Sequence, residues 1–168
     1  MTRIGILSDT HGFVDDTVID FFKDTDEIWH AGDIGDYAVI EQLQLPHKIF
    51  RAVFGNIDDY LMRRTFHEYL LFTVEDATIL MTHICSFGGG RYTPQLYHLI
   101  KKHQPHLLIC GHSHILKVKY ESSLKLLHIN PGAYGHNGFH KVRTAIRLTI
   151  NGKDFKDLEI LELPRGKK

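Results

Sequence analysis

With 168 residues and 20 Lys and Arg against 20 Asp and Glu, the chain has zero formal net charge. That excludes the broad basic face of a protein that grips nucleic acid. Hydrophobic residues at 43% and charged residues at 24% are those of an ordinary globular chain and exclude a disordered or fibrous one. The length predicts one domain, read as residues 1–163 with a short basic tail at 164–168.

The two cysteines, Cys85 and Cys110, form no close motif, so they read as free thiols and fit a reducing cytosol. The apolar stretch at residues 4–7 is too short for a signal-peptide core, and no run approaches the roughly 18 apolar residues of a spanning helix. The expectation is a cytoplasmic protein with no membrane partner. The compositional outlier is histidine, at 13 residues, the side chain that titrates near neutrality and commonly ligates metals.

In chain order, residues 4–7 read as a buried strand. Residues 15–23 read as a helix with an acidic start and an apolar face of Val18, Ile19, Phe21 and Phe22. A strand at 27–30 precedes a helix at 36–44 with Ala38, Val39, Ile40 and Leu43 as candidate core, then a strand at 48–54. Strands at 67–74 and 77–82 flank a polar turn at Glu75-Asp76. Thr93 can cap the next helix, with Pro94 in its first position and Leu96, Leu99 and Ile100 along one face. A buried strand at 106–110 follows. Beyond His114 the pattern becomes a β-meander of strands at 115–121, 125–129, 142–150 and 155–163, the last pair joined by a two-residue turn at Asn151-Gly152. Two packed sheets with outer helices account for both halves. Trp29 and the phenylalanines are read as core.

Five of these strands run into potential ligands. The first ends in Asp9-Thr10-His11, the second in Gly32-Asp33, the third in Gly55-Asn56-Ile57-Asp58, a later one in Thr82-His83, and the last apolar one in Gly111-His112-Ser113-His114. The C-terminal edge of parallel strands is where α/β proteins bind ligands. Each motif alone is ordinary turn chemistry; five in order are not. Asp9, His11, Asp33, Asn56, His83, His112 and His114 make a nitrogen and oxygen donor set without thiolate, suited to Mn²⁺, Fe²⁺, Zn²⁺ or Ni²⁺. Seven ligands exceed one ion and suit two ions sharing a carboxylate, about 3.5–4 Å apart. Two divalent ions against two aspartates leave net positive charge, which attracts a phosphate.

The order Asp-x-His, Gly-Asp, Gly-Asn, His, Gly-His-x-His resembles the calcineurin-like metallophosphoesterase family. Ser8-Asp9-Thr10-His11, His30-Ala31-Gly32-Asp33 and Asn130-Pro131-Gly132 resemble its small YfcE-type branch of phosphodiesterases, whose relatives include a retromer scaffold subunit. The resemblance implies a four-layer α-β-β-α fold, two mixed β-sheets packed as a sandwich between helices, with a dinuclear metal site at the strand C-terminal ends. It implies that Asp9, His11, Asp33 and His114 hold one ion and that Asp33, Asn56, His83 and His112 hold the other. Asp33 and a hydroxide would then bridge the two ions, with Mn²⁺ as the leading metal. Asp33 and Asn56 are the catalytic candidates, Asn56 also holding phosphate oxygens. The implied activity is hydrolysis of a small phosphodiester.

This chain departs from the family pattern in three places. Ile57 stands where many members carry a proton-donating histidine, with Asp58 beyond it as a turn-stabilising carboxylate. Ile84 and Cys85 replace the Gly-His that follows the ligand histidine in the branch, Cys85 being read as a structural or pocket-lining thiol. Gly88-Gly89-Gly90-Arg91 is either a phosphate-cradling loop, with Arg91 on the anion, or a surface loop, the preferred reading. Cys85 and Arg91 complete the substrate-contacting set with Asn56. His30 is a candidate orienting partner for the ligands and His136 a candidate for the pocket mouth. His47, His67, His98, His103, His106, His128 and His140 are read as surface or partly buried polar groups. The competing reading is a metal-retaining binding scaffold without turnover; a nuclease is disfavoured by the neutral charge.

Overall fold

The computed structural model describes residues 1–45, 48–87 and 90–166. It contains β1 (Thr2–Leu7), α1 (Asp16–Phe21), β2 (Glu27–His30), α2 (Tyr37–Leu43), β3 (Ile49–Ala52), α3 (Tyr60–Thr65), β4 (Tyr69–Val74), β5 (Ala77–Thr82), α4 (Pro94–His103), β6 (Leu107–Ile109), β7 (Leu116–Glu121), β8 (Leu126–Pro131), β9 (Val142–Asn151) and β10 (Asp154–Pro164). The readings of His47 and of Gly88-Gly89, and the last two tail residues, lie outside the described residues. No helix among the described residues is long and apolar enough to cross a membrane.

Two mixed five-stranded sheets form the centre, in the orders β10-β9-β1-β2-β3 and β4-β5-β6-β8-β7. In the first, β1, β2 and β3 are parallel, with Ile4 opposite Glu27 and Glu27 opposite Ile49. In the second, β5, β6 and β8 are parallel, with Ile79 opposite Leu107 and Leu107 opposite Leu127. The antiparallel strands lie outside these parallel trios.

Side-chain alternation explains why the parallel strands read as unbroken apolar runs: both faces are covered. Ile4 and Ile6 of β1, Trp29 of β2, Ile79 and Met81 of β5, Ile109 of β6 and Ile146 of β9 meet between the sheets. The intervening Leu7 and Ile28 pack outward against Val18, Phe22, Val39 and Leu43. On the other side Leu80 and Leu108 pack against Leu96 and Ile100 of α4. Three apolar seams thus separate four layers, α-β-β-α, as expected. Trp29 is core, its Nε1–H donating to Glu27 Oε2 at 2.8 Å. The phenylalanines are divided: Phe22 is fully buried, whereas Phe87 and Phe139 are exposed.

The helices begin where capping chemistry places them. Asp15, Asp36, Asp59 and Thr93 each accept a hydrogen bond from a backbone N–H of the first turn. Helix α3 is absent from the sequence reading because only Met62 of its six residues is buried and no apolar stripe marks it. The last third is also not one meander: β7 and β8 complete the second sheet, while β9 and β10 cross to the first and pair beside β1. The final turn is Gly152-Lys153, one residue beyond the expected pair, because Asn151 is opposite Asp154.

Asp15 does more than cap α1: it also accepts from Tyr134 Oη at 2.6 Å and Arg143 Nη1 at 3.1 Å. Burial pushes its pKa up, but the Tyr134, Arg143 and Val18 donors outweigh that and hold it below the usual carboxylate value. A depressed folded pKa stabilises the fold above the unfolded value of 3.8 and ceases to do so as pH falls through the folded value. Asp15→Asn should therefore flatten the loss of thermal stability below about pH 4. Parallel acid melting curves would contradict this.

Candidate metal centre

The parallel trios of the two sheets end at one edge, where short loops bring the seven expected ligands together. Backbone hydrogen bonds stitch the loops to each other: Asp9 N–H to Gly32 O, His11 N–H to Asp33 O and Gly111 N–H to His83 O. His114 Nε2 lies 3.1 Å from Asp9 Oδ1, and His11 Nε2 lies 3.6 Å from Asp33 Oδ2. On the other side, Asp33 Oδ1 is 3.3 Å from His83 Nε2, and Asn56 Oδ1 is 3.1 Å from His83 Nε2 and 2.9 Å from His112 Nδ1. Asp33 therefore faces both halves of the cluster, one oxygen to each.

The backbone is strained to do this. Nine described non-glycine residues have positive φ, and five of them are Asp9, His11, Asp33, His112 and His114. Each costs about 1–3 kcal/mol, a concentration expected where side chains are aimed rather than packed. Two glycines allow the loops to meet. A Cβ on Gly55 would lie 2.1 Å from Asp33 Oδ1, and one on Gly111 would lie 2.1 Å from Ser8 Oγ and 2.9 Å from Asp9 Oδ2.

The hydrogen bonds show which atoms remain free. His83 Nδ1–H donates to Ala31 O at 2.8 Å, turning Nε2 inward. Asp9 uses Oδ2 to accept from His112 N–H, leaving Oδ1. Asp9 Oδ1 and His11 Nε2 are the buried side-chain polar atoms without a hydrogen-bond partner among the described residues. Inward-facing lone pairs on two carboxylates, an amide oxygen and imidazoles repel one another, and a divalent cation is what such a donor set fits. Burial alone would lower the His83 pKa, but Asp33 and Asp9 outweigh it and raise it. Burial likewise would raise Asp33, and His83, the Ile57 N–H and His11 together lower it. Burial and the neighbouring His83 lower His112.

Residues outside the ligand set orient it. Asp58 accepts from Gly35 N–H and Gly55 N–H at 2.8 and 2.7 Å, the turn-stabilising role expected of it. Asn130 Nδ2 donates to Gly111 O at 2.7 Å, steadying the loop of His112 and His114. His30, the expected orienting partner, acts through Thr10: Thr10 donates to Ile34 O, so its hydroxyl accepts from His30 Nε2–H at 2.9 Å. Burial lowers the His30 pKa to about 3, keeping it neutral.

Two orienting residues escaped the sequence reading. Arg63, on the unexpected α3, donates to the carbonyls of Gly55, Asn56 and Asp58 and stacks on Phe54, clamping the Asn56 loop. His140 donates through Nε2–H to Gly135 O at 2.9 Å, so its Nδ1 accepts from His114 Nδ1–H at 3.1 Å. That relay leaves the His114 Nε2 lone pair facing Asp9. His140→Ala should weaken Mn²⁺ binding about 10–100-fold by titration calorimetry; an unchanged affinity would refute the relay.

Other expectations are corrected. Cys85 and Cys110 are not free thiols: they are joined in a disulfide, their Cα atoms 6.0 Å apart, because β5 and β6 are parallel neighbours. The free-thiol argument for a cytosolic setting falls with it, and so does a substrate-contacting Cys85 thiol. Arg91 is exposed, in keeping with the preferred surface-loop reading. His136 bonds Arg165 O and packs on Phe13. His128 is buried rather than superficial.

The family model of the calcineurin-like phosphoesterase superfamily domain matches residues 2–153. The chain belongs to this superfamily. It is 30% identical over 135 residues to a probable metallophosphoesterase of Methanothermobacter thermautotrophicus, covering 77% of this chain and 76% of that protein. Among solved structures it resembles a Vps29 variant from Entamoeba histolytica, with a TM-score of 0.76 and 14% identity over 96% of this chain and 98% of that one. It also resembles an archaeal phosphodiesterase, with a TM-score of 0.71 and 23% identity over 95% and 99% of the two chains. The superfamily is one of divalent-metal hydrolases, and the chain carries candidate clusters for such ions at Asp9, His11 and His114 and at Asp9, Asp33 and His83.

Proposed function

We propose that the chain is a dinuclear metal-dependent phosphodiesterase. Asp9, His11, Asp33 and His114 would hold one divalent ion, and Asp33, Asn56, His83 and His112 the other. The observation that carries this reading is the convergence of the unpartnered Asp9 Oδ1 and His11 Nε2 on one side and of His83 Nε2 and Asn56 Oδ1 on the other around the shared Asp33. The sulfur-free nitrogen and oxygen donor set supports Mn²⁺ as the metal. When bound, the ions supply an activated water and the positive charge that phosphoryl transfer requires.

The chain itself contributes positioning. Asp33 sets the two halves in register, its Oδ1 accepting the Ile57 N–H at 3.0 Å. Asn56, its backbone carbonyl clamped by Arg63, would meet the phosphate with its side-chain amide. Cavities open beside it, one of about 190 Å³ lined by Phe54, Asn56, Arg63, Glu68, His83 and Ile84. Ile57 is exposed and has no proton to give, and both Asp58 oxygens are engaged in bonds to backbone N–H groups. The leaving group must therefore depart without help from either, which favours esters of acidic alcohols such as phenols.

The test is hydrolysis of bis(p-nitrophenyl) phosphate, with p-nitrophenyl phosphate alongside. Mn²⁺-dependent turnover faster on the diester is the expected result. Two bound ions with no hydrolysis of either ester would support the scaffold reading instead.

A further inference from the structure

Behind the ligand loops lies a second cluster with a different donor set. Cys85, Cys110 and His128 are all buried, at 9%, 0% and 4% exposure, and place one ligand atom each within 4.8 Å of the others. We infer that, with the disulfide reduced, these three side chains form a separate site for a borderline-soft divalent cation, Zn²⁺ foremost. The two sulfurs must part to about 3.8 Å, but the sulfur-to-nitrogen spacing is already met. Zn–S and Zn–N bonds of about 2.3 and 2.05 Å at a tetrahedral angle put sulfur and nitrogen about 3.6 Å apart. Cys85 Sγ and His128 Nε2 already stand 3.6 Å apart. The fourth position faces a cavity of about 190 Å³ lined by Ser86, Ser113, Lys117 and Asn130 among others, room for a water or a small anion.

The surroundings of His128 suit both states. Burial, with Lys117 adding to it, lowers its pKa to about 4, so the ring is neutral, the form a metal takes. In the oxidised protein Lys117 Nζ donates to His128 Nδ1 at 3.1 Å, which leaves the proton on Nε2, aimed at Cys85 Sγ. With a cation on Nε2 that proton moves to Nδ1, where Tyr92 Oη, 2.9 Å away, accepts it. Lys117 then turns to Glu121, whose Oε1 is 3.5 Å from Nζ in the oxidised protein. A phosphine reductant breaks the S–S bond and is itself oxidised to the phosphine oxide with oxygen from water, the two water protons passing to the sulfurs. Cation binding then releases those two protons to solvent. Disulfide and cation are thus mutually exclusive occupants of one place.

Cobalt(II) separates this site from the nitrogen and oxygen centre, because only thiolate ligation gives a sulfur-to-cobalt charge-transfer band in the near ultraviolet. Protein reduced with tris(2-carboxyethyl)phosphine should bind one more Co²⁺ than oxidised protein and show the band; oxidised protein should not. Asp9→Asn should keep the band, Cys110→Ser should cut its intensity by about half or more, and His128→Ala should weaken Co²⁺ binding, read from the band, at least about tenfold. No band at saturating Co²⁺, or a His128→Ala titration matching wild type, would overturn the site. A readout free of substitutions is the alkylation of Cys85 and Cys110 by N-ethylmaleimide in reduced wild-type protein. Zn²⁺ should slow both modifications, and equal rates with and without Zn²⁺ would refute the proposal.

Discussion

Asp33→Ala is expected to lower Mn²⁺-dependent diester hydrolysis by about 10³-fold or more, which is about 4 kcal/mol of transition-state stabilisation. It should also reduce bound Mn²⁺ below two per chain. Asp33 Oδ2 faces His11 and Oδ1 faces His83, so one truncation removes a ligand from each half. The same change leaves Ile57 N–H without its acceptor and frees the Asn56 loop at that point. His11→Ala, by contrast, touches one half only and should leave the His83 half able to bind an ion. Rates and metal content measured together on folded protein, checked by circular dichroism, decide the matter. Wild-type activity in Asp33→Ala would end the dinuclear reading.

Gly55→Ala should be the most damaging conservative substitution at this edge. The added methyl would stand 2.1 Å from Asp33 Oδ1 and 2.2 Å from Asp33 N, and a backbone nitrogen in a stitched loop cannot step aside. The third loop must lift away from the second, stretching the 2.8 Å bond from Gly35 N–H to Asp58. An overpacking cost of about 3 kcal/mol corresponds to a melting temperature about 6–12 °C lower for a chain of this size. The stabilisation that Mn²⁺ confers on wild-type protein through linked binding should also be largely lost. A variant that melts within about 2 °C of wild type and keeps its Mn²⁺ response would show that the loops yield where the geometry says they cannot.

Much of the fold was legible because its signals are local. Strands β2 and β5 were readable to the residue, β5 because two-sided burial writes an apolar run, Ile79–Met81, bounded by polar residues. Helix α4 was readable from Thr93 and Pro94 because capping and the N1 preference act within one turn. Helix α3 was not, for Tyr60 and Leu61 face solvent and only Met62 is buried. Its cost to the site reading was Arg63, a residue with no motif of its own whose importance lies in the carbonyls it reaches.

The amino-acid sequence by itself determined which residues could ligate and that each would follow a strand, because residue chemistry and strand periodicity are properties of neighbouring positions. Only the tertiary structure decided that Asp33 faces both halves, that His140 sets the proton of His114, and that β9 and β10 join the first sheet. It alone paired Cys85 with Cys110 across 25 positions and set His128 beside them. Pairings of that kind depend on which strands become neighbours, a choice made by the burial of whole sheet faces and by loop closure over long separations, and no local pattern encodes it.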